Sequence, residues 1–453
     1  MKKVLTFFSA ASLLLTVLSF PAFSAEYQYE TPVEPALWAE PEFGTDHAYS
    51  FAFVGDPQYL SIGDYYQGTK KMDQLFGSIA DTAEERKLEH VFVLGDITDK
   101  GYNNDANLAH TYCDPPVTGE WETAQKAIFQ LNEAGVPYSL CRGNHDDYMM
   151  DDYFNVPTYT DQFKNCGGFY SDSLAKHPTL READNPDGYI YWSATTGYHA
   201  NSIVNSYKTV EICGNKYIFI TVDYNPTENV VKWVDQILGE YPDHLAIVTT
   251  HSYLTSKGEL CTTEKGGTKY FLGYAADKLW DMALKNHENL LMVVCGHTGT
   301  LDPVYNTQTG VHGNTVHQFL VNPQKYDTKE TDAETISSGT QDTGMVLYMN
   351  FSADGSKITL DYYSTLLNKE LENIKDTTVT LYERNPLIPI PGDMDDDDTL
   401  TIDDAIHLLF HVDFPEEYPI AQTGDLNGDG KLNSDDAILL LFHVIFPERY
   451  PLS

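Results

Sequence analysis

Positive charge is what this sequence has least of. Its 28 Lys+Arg stand against 67 Asp+Glu, a formal net charge of -39 over 453 residues. A surface that acidic repels phosphate backbones and anionic lipid at long range, which excludes non-specific nucleic-acid binding and adhesion to an acidic membrane surface. Long apolar runs are also scarce. Past Ala25 no stretch approaches the ~20 residues that a spanning helix needs, so no membrane partner is expected. Cysteine is sparse, six in all, and none shows the paired spacing of a zinc site. What is present is apolar bulk: 42% hydrophobic and 13% aromatic residues, enough for a packed core and unlike a disordered chain.

At the N-terminus Lys2 and Lys3 precede an apolar run from Val4 to Phe20, and Pro21-Ala22-Phe23-Ser24-Ala25 follows. A basic start, a modest apolar segment and small residues at its end read as a secretory signal peptide over 1–24, cleaved after Ser24 or after Ala25. The mature chain is then expected to be secreted and extracellular. Export permits disulfides, and six thiols allow 15 pairings. Cys141 and Cys295 close apolar runs and read as buried small residues, whereas Cys113 and Cys166 sit in polar loops and are the better bridge candidates.

The remainder divides in two. Over 25–384 short apolar runs (Phe51–Val54, His90–Leu94, Val136–Cys141, Tyr217–Val222, Leu245–Thr250, Leu290–Cys295) alternate with helical patterns near Thr69–Arg86, Glu120–Glu133, Val230–Glu240 and Ala275–Lys285. That alternation predicts an α/β layered domain. Residues 147–200 read as a long Tyr-rich insertion, and a β-hairpin is expected from Met345–Phe351, Asp354-Gly355 and Lys357–Tyr363. The proline-bearing stretch 385–392 reads as a linker. Beyond it, residues 393–420 and 425–452 align without a gap and are identical at more than half of their positions, the mark of a duplicated unit.

In the large domain each apolar run ends on polar residues, in most cases straight after a glycine. The runs lead in order to Gly55-Asp56-Pro57-Gln58, Gly95-Asp96-Ile97-Thr98-Asp99, Arg142-Gly143-Asn144-His145-Asp146, His251-Ser252 and Gly296-His297. Ligand sites of α/β sheets lie at the carboxyl ends of strands, so these side chains can converge although distant in sequence. Carboxylate, amide oxygen and imidazole together suit Mn, Fe or Zn, and a shared carboxylate can bridge two ions.

This ordered set resembles the calcineurin-like metallophosphoesterases, over a core of about 50–322 followed by a β-rich extension to about 384. The resemblance implies a four-layer α/β/β/α sandwich with two divalent transition metals (Mn, Fe or Zn), and hydrolysis of phosphate mono- or diesters by metal-activated hydroxide. Carried over by motif, Asp96 would bridge the metals, Asn144, His251 and His297 would complete the second site, and Asp56 and Gln58 would belong to the first. His145 would protonate the leaving oxygen or stabilise its charge, oriented by Asp99. Two departures stand out: Gln58 replaces the usual His of the first motif, and Gly299 the last His of the final one. The first site thereby keeps only oxygen ligands, which hold a divalent ion more weakly. His312 and His317 read either as ordinary loop and strand histidines or as replacements that fold back, and Lys100 as a phosphate contact or a surface lysine.

Each repeat copy opens on alternating acidic residues. Asp393, Asp395, Asp397, the Thr399 carbonyl and Asp404 in the first copy match Asp425, Asn427, Asp429, the Lys431 carbonyl and Asp436 in the second. These occupy positions 1, 3, 5, 7 and 12 of a calcium loop. The pair, residues 393–453, resembles a dockerin, a small all-α module with two EF-hand-like loops. That resemblance implies two Ca ions and a cohesin domain of a scaffoldin as partner, with Ile402, Asp403, Ser434 and Asp435 as candidate contacts. The expected protein is a scaffold-associated, cellulosome-type phosphoesterase in a setting of polysaccharide catabolism. Two other readings remain open from sequence: a dockerin-borne glycoside hydrolase, and a non-catalytic metal-binding module with a depleted first site.

Overall fold

The computed structural model describes residues 38–41, 46–99, 118–146, 150–155, 168–169, 192–193, 197–198, 203–224, 226–262, 275–300, 302–324, 343–382, 392–395, 399–420, 424–447 and 449–452. The leader 1–24, Lys100, Cys113, Cys166, Asp397, most of the 147–200 insertion and nearly all of the 385–392 linker lie outside the described residues.

Two mixed sheets carry the large domain. The first runs β1 (Trp38–Ala39), β16 (Lys369–Leu371), β15 (Lys357–Ser364), β14 (Met345–Phe351), β2 (Tyr49–Val54), β3 (Leu88–Val93), β4 (Tyr138–Leu140), with β17 (Thr377–Thr380) also on β15. Its parallel part is β2-β3-β4. The second runs β12 (Val304–Thr309), β13 (Thr315–Leu320), β11 (Leu290–Cys295), β10 (Leu245–Thr250), β9 (Asn215–Val222), β8 (Ser206–Ile212), β5 (Gly168–Phe169), parallel from β9 to β13. A separate two-stranded piece pairs β6 (Trp192–Ser193) with β7 (Gly197–Tyr198).

The period of two along each strand builds the layers. Phe51 and Phe92 point at the second sheet, where their rings meet Phe219 at 5.3 and 5.0 Å. Tyr49 and Tyr217 join hydroxyls across the same gap at 2.7 Å. Ala52, Val54, Val91 and Val93 face the other way, onto Leu60, Leu75, Phe76 and Trp121. Those residues come from α1 (Gln58–Gln67), α2 (Lys71–Asp81) and α3 (Thr118–Glu133); α4 (Met150–Tyr153) follows. Beyond the second sheet, Ile218, Ile220 and Val248 pack on Trp233 and Leu279 of α5 (Glu228–Glu240) and α6 (Ala276–Met282). Helices therefore cover both outer faces of a two-sheet sandwich.

Several predicted elements shift at their ends for identifiable reasons. Helix α2 starts at Lys71 because the Asp64 carboxylate accepts the N–H groups of Lys71, Met72 and Asp73, satisfying its first turn. Helix α1 had no sequence signal, since it buries Gln58, Leu60, Ser61 and Gly63, a polar and small face without apolar periodicity. The hairpin expected after residue 315 is β14 and β15, paired antiparallel from Met345–Ser364 to Phe351–Ile358. Cys141 and Cys295 are buried free thiols.

At the other end of the chain, α7 (Ile402–Asp413) and α8 (Ser434–Ile445) share a small core of Met394, Ala405, Leu408, Leu426, Ala437 and Leu440. Both begin with a capping box: Asp404 accepts the N–H of Thr401 at 2.7 Å, and Asp436 that of Asn433 at 3.0 Å. Their other oxygens accept Met394 and Leu426 N–H, at 2.8 and 3.0 Å, so the sequence repeat is also a repeat of hydrogen bonds.

His90 on β3 lies between the sheets, its ring 4.5 Å from that of Phe92 and 4.9 Å from that of Phe219, with Nε2 2.8 Å from Ser139 Oγ. Burial, assisted by Lys208, holds this imidazole neutral well below its ordinary pKa of 6.5. Because the folded-state value is depressed, only the unfolded chain takes up the proton below pH 6.5, and stability falls as pH drops. His90→Phe should flatten the acid limb of the stability–pH profile, by up to ~1.4 kcal/mol per pH unit, in urea unfolding from pH 7 to 5.

Candidate active site

The carboxyl ends of β2, β3 and β4 in one sheet and of β10, β11 and β13 in the other deliver the polar residues. Asp56, Asp96 and His297 all leave their strands at positive φ, 45, 48 and 71°, a left-handed turn that re-aims each side chain sharply off the sheet edge. The adjoining glycines permit the close approach. A Cβ on Gly143 would sit 2.1 Å from Asp96 Oδ1, and one on Gly296 2.2 Å from Asp56 Oδ1.

Asp96, Asn144, His251 and His297 converge. His251 donates Nδ1–H to the Leu94 carbonyl at 2.8 Å, which in the neutral ring leaves a lone pair on Nε2. That Nε2 stands 3.0 Å from Asn144 Oδ1 and 3.3 Å from Asp96 Oδ1. His297 Nδ1 is 2.7 Å from the same Asn144 oxygen and 3.2 Å from His251 Nε2. So many electron-rich atoms aimed at one buried point repel each other unless protons or a cation stand among them. Carboxylate oxygen, amide oxygen and two imidazole nitrogens are a donor set that fits a divalent transition ion. The ligand atoms of Asp96, His251 and His297 lie within 4.8 Å of one another.

The charges respond to this crowding. Burial acts against ionised Asp96, yet the His251 and His145 imidazoliums outweigh it and hold the carboxyl below the ordinary range. Burial likewise opposes the charge on His251, and the Asp96 and Asp56 carboxylates keep it up at about 9. His297, desolvated and beside cationic His251, drops to about 3.

His145 stands at the rim, its side chain 34% exposed. Its backbone N–H donates to Asp96 Oδ1 at 2.9 Å. Its Nδ1 lies 3.0 Å from the Asp99 carbonyl and 3.3 Å from Asp99 Oδ1, leaving Nε2 for a substrate. Against the pull of desolvation, Asp96 and Asp99 raise this imidazole to about 10.

Gln58 meets the other carboxylate oxygen of Asp96, and Asp56 lies against the His297 backbone. Asp56 accepts Asn322 Nδ2–H at 2.7 Å and the His297 backbone N–H at 3.0 Å, both on Oδ2, and burial pushes its carboxyl well above the ordinary value. Gln58 donates Nε2–H to Asp96 Oδ2 at 3.2 Å. The two downstream histidines are engaged elsewhere: His312 Nε2 is 3.1 Å from the Asn286 carbonyl, and His317 lies between the Leu381 carbonyl and the Tyr305 hydroxyl.

Further residues hold the cluster without having been given a role from sequence. Asp146 accepts the N–H groups of Ile97, Thr98 and Gly143 at 3.1, 2.9 and 2.9 Å, tying two of the strand-end turns together. Glu120 accepts Asp99 N–H at 2.5 Å and the Ser61 hydroxyl at 2.8 Å. Asp223 follows the apolar run of β9, the same signal that marked Asp56 and Asp96, whereas Asn322 follows β13, whose run is broken by His317 and Gln318. Glu120 sits on a helix and carries no such mark.

Arg142, after β4, reaches Asp223, after β9, through Nε at 2.9 Å and a terminal nitrogen at 2.5 Å. This bidentate pair, 12% and 1% exposed, bolts the two sheets together beside the site. Removing one partner leaves a buried charge uncompensated, so Arg142→Met should cost about 3–5 kcal/mol in urea unfolding. Arg142→Met combined with Asp223→Leu should recover much of that loss.

Known proteins bear on this arrangement. Residues 49–300 match the profile of the calcineurin-like phosphoesterase family. A Bacillus subtilis (strain 168) protein described as uncharacterized protein YvnB is 23% identical over 287 residues, which is 61% of this chain and 18% of that relative. The chain thus spans less than a fifth of that relative's length. Among solved structures, a dimetal phosphatase from Danio rerio is similar at 12% identity over 74% of this chain and 100% of its own, with a TM-score of 0.41. Purple acid phosphatase PPD1 from yellow lupin (Lupinus luteus) is similar at 12% identity over 76% of this chain and 55% of its own, with a TM-score of 0.40. The family match takes in every strand end that feeds the cluster except that of β13, and the chain belongs to the calcineurin-like phosphoesterases.

Proposed function

We propose that this chain hydrolyses phosphate mono- or diesters outside the cell, tethered to a scaffold through its C-terminal repeat. The observation that carries the catalytic part is the convergence of Asp96, Asn144, His251 and His297 on one point, with the partly exposed His145 ring at the rim, its Nδ1 held by Asp99. A divalent cation held by those four residues supplies Lewis-acid stabilisation of phosphoryl oxygens and activation of water at neutral pH. The protein supplies the rest. Leu94 fixes the tautomer of His251, Asp146 clamps the Asp96 and Asn144 turns, and Asp99 orients His145 so that Nε2–H reaches the leaving oxygen.

Asp96→Asn should abolish both metal retention and p-nitrophenyl phosphate hydrolysis. His145→Asn should keep its metal, measured by elemental analysis, while turnover falls about 10²–10⁴-fold. A chelator-treated enzyme that still hydrolyses the ester at full rate, or loss of metal from the His145 variant, sinks the corresponding assignment.

For the tether, the reading is a dockerin that folds around calcium and docks to a cohesin. Asp393, Asp395 and Asp404 bring carboxylate oxygens within 4.8 Å of one another. In the second copy Asp425 accepts Gly430 N–H at 2.8 Å and Asn427 accepts Asp429 N–H at 2.9 Å, which curls the loop as a calcium loop curls. Ile402 and Ile406 of α7 and Ile445 of α8 are 47, 45 and 47% exposed, apolar surface that suits a protein partner. Residues 1–24 support export. The full-length chain should bind an immobilised cohesin in calcium and be released by a chelator, and Asp404→Ala with Asp436→Ala should abolish capture without changing ester turnover. Capture that persists in chelator overturns the calcium dependence.

A further inference from the structure

We propose that this chain retains one divalent cation at the phosphoesterase site instead of two, because side-chain amides have taken the place of the second. The inference rests on the metal-dependent reading above and concerns how many ions that site holds. Asp96 has two faces. Oδ1 lies 3.3 Å from His251 Nε2 in the four-donor cluster, while Oδ2 accepts from Gln58. A second ion sharing Asp96, as in two-metal clamps with ions ~3.5–4 Å apart, would sit on the Oδ2 side.

That side is already supplied with positive hydrogen. Asp56 is fully buried, and both of its oxygens accept the His297 backbone N–H, at 3.1 and 3.0 Å, while Oδ2 also accepts Asn322 Nδ2–H at 2.7 Å. The Asn322 amide cannot turn round to offer its oxygen, because Oδ1 is held by the Gln324 N–H at 3.0 Å. Its backbone is fixed as well: the Asn322 carbonyl accepts Thr300 N–H at 3.0 Å, and the preceding Val321 carbonyl lies only 1.9 Å from where a Gly55 Cβ would be. Asn322 is thus a rigid, fully buried donor built against Asp56. Gln58 then donates to Asp96 Oδ2 at 3.2 Å.

What remains for an ion on this side is meagre. Gln58 Oε1 is buried without a hydrogen-bond partner among the described residues, a single neutral oxygen. His312 and His317, the imidazoles that the sequence offered as replacements, are engaged elsewhere. Among the described residues, the three carboxylate and imidazole groups gathered closely enough to share one ion at this site are Asp96, His251 and His297. Three N–H groups already occupy oxygens of Asp56 and Asp96, and a transition ion needing about four ligands finds too few.

The test is metal stoichiometry of the full-length protein, stripped with chelator, kept in saturating calcium to fill the C-terminal loops, then loaded with cobalt(II) and gel-filtered. We expect one cobalt per chain in the parent and none in Asp96→Asn. Asn322→Asp replaces the donor with a carboxylate facing Asp56 and should raise the count from one to two. Two cobalt ions in the parent overturn the inference and leave the functional reading intact. An Asn322→Asp variant that stays at one overturns the role given to Asn322. One cobalt without ester turnover supports the inference while removing the functional reading, and none in the parent overturns both.

Discussion

The Asp96 carboxylate, 2% exposed and ionised against the cost of burial, is the constraint around which the rest of the site is arranged. A bare carboxylate in that position would be expensive, by several kcal/mol. The fold meets the cost with the His145 N–H, the Gln58 amide and the electrostatic reach of two imidazoles. Those groups come from three strand ends, after β2, β4 and β10. The charge can therefore be tolerated only when the two sheets are closed, which makes the assembled site and the folded state one event.

Closure is secured on two levels. Between the sheets, Tyr49, Phe51, Phe92, Tyr217 and Phe219 interlock in edge-to-face and tilted contacts, a dry aromatic layer that sets the spacing of the strands. At the open end, where the strands give way to polar turns, Arg142 and Asp223 span the gap. Asp146 does the same at smaller scale, gathering backbone N–H groups from the turns after β3 and β4. The positive φ values of Asp56, Asp96 and His297 are strain held in place by these bonds.

Much of this was legible in the sequence. β10 and β11 were readable to the residue, at Leu245–Thr250 and Leu290–Cys295, because a buried parallel strand is an unbroken apolar run ended by a polar turn. The same signal marked Asp56, Asp96, Asn144, His251 and His297, all of which the fold brings together. It equally marked Asp223, yet a lone Asp at a strand end has no distinguishing spacing, and Asn322 follows a strand interrupted by His317 and Gln318. Helix α1 was invisible because its buried face is polar, and Glu120 because helix positions are judged by apolar period.

The sequence by itself determined the alternation of layers, the strand ends that carry chemistry and the duplication after residue 392, since each is written in local pattern. Tertiary structure alone decided what each polar group experiences. His90, His297 and His251 are the same side chain, yet packing holds the first two neutral and the carboxylates of Asp96 and Asp56 hold the third charged. Likewise, Asn322 is a donor to Asp56 only because Gln324 fixes its amide, a contact between residues 266 positions apart and a bond two residues away. Long-range electrostatics and burial depend on distances in space, and those exist only once the sheets have met.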